Sequence, residues 1–267
     1  MKKYWKWIAL VLIIIVVIAS VVFYRRDSHG KPFKASLNHS QVMMTPDWYA
    51  KVKLVANEGA TYEVRNSKDK VIQSKTGTND GKADIKLNNT GKYTIIAKSD
   101  NGHVSKKLPV TVTNYKGNIN KWTNAVGPLK FKITSVEYQK LTKNAKNKPD
   151  NSGIDEAYKQ LNNQYYQVKI NYLIKNDGKK AVNPQYTFWF PESDDGQEFS
   201  TEEPSPDGGA VDTIIGTSAI NPGNSRSGSV TMISNNKFSV KHFKFSINEV
   251  LGNDGDHIAD GGTAKLN

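Results

Sequence analysis

The chain has 267 residues, 37% hydrophobic, with a net charge of +12 and no cysteine. Without cysteine there is no disulfide, no thiolate zinc site, no lipidated cysteine and no thiol nucleophile. The positive charge is uneven: residues 1–33 carry +5, residues 34–113 carry +6 and residues 114–267 only +1. A basic balance suits nucleic acid as well as membranes and anionic polymers, but the lysines alternate along strand-like runs without an arginine cluster, and nucleic acid is not expected as a partner.

Residues 1–7 read as a short cytoplasmic tail. Residues 8–24 (IALVLIIIVVIASVVFY) hold no charge, with Lys2, Lys3 and Lys6 before them and Arg25 and Arg26 after. Extended by Tyr4, Trp5 and Trp7, the run is long enough to cross a hydrocarbon core of ~30 Å as a helix. Aromatic rings stand at both ends, where amphipathic side chains favour the headgroup layer. This predicts an uncleaved signal anchor with the C-terminal part outside a cell membrane. The alternative is a signal peptide cut after Ala19. A cysteine-free exported chain fits the surface of a Gram-positive bacterium.

Residues 25–36 read as a polar stalk. From 37 to 113 short alternating runs are separated by turn residues, and the spacing predicts strands at 52–55, 62–64, 71–72, 83–87, 93–97 and 104–113. That is the pattern of an all-β sandwich. Tyr93, just after Gly91, looks like the tyrosine corner of immunoglobulin-like domains, so the stretch resembles a bacterial surface immunoglobulin-like repeat. Its basic charge suits anionic lipids or anionic wall polymers. Residues 114–128 show little periodicity and are read as a linker, with Trp122 as a plug between domains.

The second module spans 129–250. Strands are expected at 129–136, 165–175, 186–190, 212–220, 229–233 and 243–247. A polar insertion over 140–164 contains a short helix at 154–161, and Asn176-Asp177-Gly178 is expected as a hairpin turn. Residues 251–267 are rich in Gly and Asp and read as a flexible tail. The features that carry a resemblance here are the strand at 166–175 ending in Asn176-Asp177-Gly178, Phe188 before Asp194-Asp195-Gly196, Asn221-Pro222-Gly223 with Gly228-Ser229-Val230, and Phe243-Lys244-Phe245. In this order they resemble an immunoglobulin-like domain family of unknown function. The family is found in extracellular proteins of Gram-positive bacteria and shares its fold with a mycobacterial secreted immunoprotective antigen. It implies a β-sandwich and carries no established catalytic residue. The lipoprotein signal usual in that family is absent.

Two features stand out as candidate sites. Between Lys180 and Arg226 there is no basic residue, yet there are eight acids: Glu192, Asp194, Asp195, Glu198, Glu202, Glu203, Asp207 and Asp212. Such density asks for a cation or a basic partner. Asp194, Asp195 and Glu198 are the best local Ca²⁺ candidates, although they miss the twelve-residue calcium-loop spacing. Glu202, Glu203 and Asp207 suit a protein or polymer contact. Trp189 lies between two phenylalanines and points opposite to both, either into the core or outward as a stacking platform. The histidines are scattered, and no nucleophile-and-base motif is present. The expectation is an all-β, membrane-anchored, non-catalytic binding or scaffold protein with two tandem immunoglobulin-like sandwiches and an unidentified protein partner. The alternatives are an accessory or sensor subunit of a transport or secretion complex and, third, a cell-wall enzyme.

Overall fold

The computed structural model describes residues 32–75, 77–78, 80–148, 154–187, 189–201 and 209–266. The expected anchor at 8–24, and Phe188, Glu202, Glu203 and Asp207, lie outside the described residues. Among those described, no helix is long and apolar enough to cross a membrane. The described chain is nearly all-β.

The first eight strands are β1 (Ala35–Leu37), β2 (Gln41–Met43), β3 (Ala50–Ala56), β4 (Thr61–Asn66), β5 (Val71–Lys75), β6 (Lys82–Leu87), β7 (Gly91–Lys98) and β8 (Ser105–Thr113). They form a three-stranded sheet, β1-β3-β6, and a five-stranded sheet, β2-β8-β7-β4-β5. Strand side chains alternate between faces, so β3 buries Val52 and Leu54 while Lys51 and Lys53 stay in water. Those residues meet Ile85, Leu87, Tyr62, Val64, Ile95 and Val110 in one core. The Tyr93 hydroxyl donates to the carbonyl of Asn89 at 2.8 Å, so the phenol ties down the turn before its own strand. The supposed stalk is shorter than expected: Ala35 is buried and β1 pairs with β3.

The remaining elements are β9 (Tyr115–Trp122), β10 (Leu129–Thr142), a 3-10 turn (Ala145–Asn147), α1 (Asp155–Gln160), β11 (Gln164–Asn176), β12 (Trp189–Glu192), β13 (Phe199–Ser200), β14 (Gly209–Ile215), β15 (Ser225–Ser234), β16 (Lys244–Leu251) and β17 (His257–Lys265). A six-stranded sheet, β13-β14-β15-β11-β10-β9, and a three-stranded sheet, β12-β16-β17, enclose the second core. Aromatic rings dominate that core. Phe131 stacks on Phe245 with centroids 5.0 Å apart, and Trp189 meets Phe131 edge-on at 5.6 Å. The alternation expected over 166–174 holds, with Val168, Ile170, Tyr172 and Ile174 buried on one face.

Four expectations are corrected. The stretch read as a linker contains β9, which pairs with β10; only Asn114 separates it from β8. Most of its side chains are exposed, so it carries no apolar alternation, and ladder hydrogen bonds define it instead. The stretch read as a flexible tail contains β17, paired along β16 with Ala264 fully buried. The turn at 176–178 does not close a hairpin, because the next strand, β12, pairs with β16 in the opposite sheet. The buried Asn176 side chain secures that crossing by donating to the carbonyls of Lys180 and Ile220 at 2.7 and 2.8 Å. Finally, the strand expected at 186–190 begins at Trp189, with Tyr186 in an exposed turn.

Candidate functional site

β12 and β14 lie in different sheets, and a cleft of about 490 Å³ opens beside them. Tyr186, Thr187, Trp189, Phe190, Thr213 and Ile215 line it. The Thr213 hydroxyl is buried and has no hydrogen-bond partner among the described residues. The walls therefore offer aromatic and aliphatic surface with a few hydroxyls, a composition suited to binding.

Trp189 is 3% exposed, and its indole N–H donates to the Tyr172 hydroxyl at 2.9 Å. Its ring faces the core, so the outward stacking platform does not hold. Burial raises the pKa of the Tyr172 phenol, against the lowering effect of the Trp189 hydrogen bond.

Asp194, offered as a calcium ligand, is a loop anchor. It accepts from the Ser239 hydroxyl at 2.9 Å and from the backbone N–H of Lys241 and His242 at 2.6 and 3.3 Å, and it lies 2.8 Å from His242 Nδ1. Burial pushes this carboxyl up, but the His242, Ser239 and backbone donors outweigh it and hold the pKa below the usual range. Ser, His and Asp meet here, but not as a catalytic relay. In a relay the imidazole bridges nucleophile and carboxylate; here Ser239 and His242 both turn to the same carboxylate. Asp195 and Glu198 are exposed. Among the described residues no three His, Asp or Glu side chains converge as a metal site.

A second constellation was not anticipated. Trp48 belongs to the first set of strands by sequence but packs into the second core, 4% exposed. Its ring lies 5.3 Å from Tyr138 and 4.8 Å from Tyr166, edge-on to both, and its N–H donates to the carbonyl of Phe238 at 2.7 Å. A tight turn presents it: Thr45 bonds through its N–H and its hydroxyl to the carbonyl of Tyr49, at 2.7 and 2.9 Å. Trp48 itself sits at φ 62°, a left-handed conformation costing a bulky residue on the order of 1–2 kcal/mol, which the surrounding aromatic contacts outweigh. Asp47 pairs with Lys241, and Lys140 Nζ donates to the Asn89 side chain at 3.0 Å. Trp122, expected as the plug, is 41% exposed at the end of β9. The signal available in the sequence was Pro46-Asp47 before Trp48, a turn with an aromatic at its apex. What receives that ring lies too far along the chain to be read locally.

No protein-family model matches the chain, and no curated protein does. Among solved structures, the chain is similar to a functionally unknown protein from Listeria monocytogenes EGD-e, with 14% identity and a TM-score of 0.35 over 57% of this chain and 84% of that one. A likeness of that degree carries no argument about function.

Proposed function

We propose that this is a membrane-anchored binding or scaffold protein of the Gram-positive cell envelope. Residues 8–24 hold it in the membrane, and two immunoglobulin-like sandwiches stand outside as a stiff, non-catalytic pair. The observation that carries the reading is the joint. Trp48 is buried in the second core, and only Asn114 lies between β8 and β9. Two units coupled in this way hold a fixed mutual orientation, which a spacer or presenting scaffold needs and a flexible linker would forfeit. The apolar run and its flanks support the address. The cleft beside β12 and β14 is the candidate surface for an unidentified protein partner.

The test is protease shaving of whole cells combined with alkaline carbonate extraction of their membranes. An anchored external protein is cut by shaving and stays with the carbonate-washed pellet. A product that survives shaving, or that fractionates with cytosol, overturns the reading. Turnover of peptidoglycan fragments by the purified full chain would overturn its non-catalytic part.

A further inference from the structure

β14 is longer than the strand outside it. β13 has two residues and pairs with β14 only at Gly209 and Ala210. From Val211 to Ile215, a span of ~14 Å, no described strand lies along the side of β14 away from β15. The phase of the ladder fixes which groups that edge carries. The Gly209 N–H donates outward, to the carbonyl of Glu198 at 3.0 Å. In an antiparallel pair, backbone groups turn toward the partner and away from it on alternate residues. Register with β15 is unbroken from Gly209 to Ile215. Val211, Thr213 and Ile215 therefore turn their N–H and C=O outward with Gly209, while Ala210, Asp212 and Ile214 face β15. β13 reaches no further than Ala210, so the groups of Thr213 and Ile215 meet no described strand.

The same three residues line the cleft. Val211 is buried, Ile215 packs on the second core, and the Thr213 hydroxyl is buried without a hydrogen-bond partner among the described residues. Across the cleft, β12 is the last strand of the opposite sheet. A strand laid along β14 would do two things at once. Its backbone would meet outward N–H and C=O groups that recur every ~6.8 Å, the two-residue repeat of a strand. Every second side chain would drop into the cleft beside Phe190 and Thr213. An edge whose alternate side chains also line an apolar cleft thus offers both backbone pairing and side-chain pockets. The described lining carries Asp212 and no basic side chain. Arg226, beside Gly216, directs its guanidinium to the carbonyls of Gly216, Ser218 and Ala219, and the eight acids between Lys180 and Arg226 outnumber it. We propose that β14 is a strand-addition site whose occupant is an extended, basic segment of a partner protein, apolar at alternate positions. The proposal rests on the reading above that this cleft receives a protein partner.

The probe is a fluorescein-labelled alternating peptide, KVTVTVTVK, titrated by anisotropy into the full chain in phosphatidylcholine nanodiscs. Thr213→Pro removes one edge N–H and spares the β14–β15 ladder, because that N–H faces away from β15. Thr213→Val keeps the N–H and removes the hydroxyl. The expected result is saturable binding, at least about tenfold weaker for Thr213→Pro and unchanged for Thr213→Val. Of two peptides N-methylated on all valines or on all threonines, one should lose binding as far, since a single peptide edge faces β14. The methylated peptides decide the matter even if the melting midpoint of Thr213→Pro falls. No saturation up to about 1 mM peptide overturns the proposal. So does equal binding by Thr213→Pro and the parent, by both methylated peptides and the parent peptide, or by a peptide with glutamate ends. A loss in Thr213→Val equal to that in Thr213→Pro would make the hydroxyl the contact and overturns edge pairing. A dimer of the parent that Thr213→Pro abolishes in sedimentation would place a second copy on the edge and overturns the partner segment. Benzoylphenylalanine in place of Tyr186, an exposed residue of the cleft lining, separates the two levels in whole cells. A protein adduct that forms equally well in Thr213→Pro overturns strand addition alone. No protein adduct at position 186 overturns the partner surface itself.

Discussion

Trp48 donates its indole N–H to the carbonyl of Phe238, a residue 190 positions away along the chain. Among the described residues, no other side chain of the first eight strands or their turns is buried in the second core. Trp48→Ala removes a fully seated ring and leaves a void between Tyr138 and Tyr166, with an expected cost of about 3–5 kcal/mol. Calorimetry is expected to show one unfolding transition for the parent chain and two for the variant, as the coupling is lost. Trp48→Phe keeps most of the packing but orphans the Phe238 carbonyl, with an expected cost of about 1–3 kcal/mol. An unchanged melting profile for Trp48→Ala would refute the role given to this joint.

Asp194 should set part of the acid limb of stability. Its folded pKa is depressed, so its contribution is present above the unfolded value of ~3.9 and is lost as pH falls through the lower folded value. In Asp194→Asn the loss of stability between about pH 5 and pH 2 should become shallower by part of one proton. Hydrogen exchange at the Lys241 and His242 amides should speed up, since both donate to this carboxylate. Amides that exchange as slowly in the variant as in the parent would show that the loop is held by something else.

Tyr138 gives the alkaline counterpart. Its hydroxyl accepts from the Val240 N–H at 2.9 Å, and burial pushes its pKa up to about 12 against the lowering effect of that bond. The folded value lies above the unfolded one, so the native state keeps its proton where the unfolded state gives it up. Stability is therefore intact below about pH 10 and falls as pH rises toward 12. In Tyr138→Phe this alkaline loss should be shallower by one proton, while neutral-pH stability drops because Val240 loses its acceptor. Urea titrations at several pH values measure both slopes.

β17 should prove structural. Ala264 is fully buried against Phe245, its register partner on β16. A carboxylate there has neither solvent nor a partner, so Ala264→Asp should unfold the second core or drive the chain into aggregates. A soluble variant with an unchanged melting midpoint would return the last residues to the status of a dispensable tail.

These cases show what local pattern reading delivers. β10 and β11 were readable because apolar residues alternate along both, and each is the other's next strand in sequence, pairing from Thr142 opposite Gln164 to Leu129 opposite Asn176. β9 was not: it is an edge strand, its residues face water, and Asn120 breaks the regular backbone at φ 53°. β17 was hidden by its glycines. Gly261 approaches the β16 backbone so closely that a Cβ would sit 1.9 Å from the carbonyl oxygen of Asn248, so a residue that looks like loop chemistry is a packing requirement. The acid-rich stretch was visible as composition, but composition could not tell that Asp194 is spent inside the fold while Asp195 and Glu198 remain in water. The cleft needed two strands from opposite sheets, and Trp48 needed a receptor 190 residues distant, so neither could be seen from short-range periodicity.

β2 runs parallel to β8, and β8 passes through Asn114 directly into β9. A pull applied between the two ends of the protein would, once β1 had peeled away, drag β2 and β8 past each other lengthwise. Bonds strained in that direction yield together rather than in succession, so the rupture force of this short pairing exceeds that of an unzipping hairpin of equal length. Under such a load the short β2–β8 pairing is the element of the first unit that resists longest.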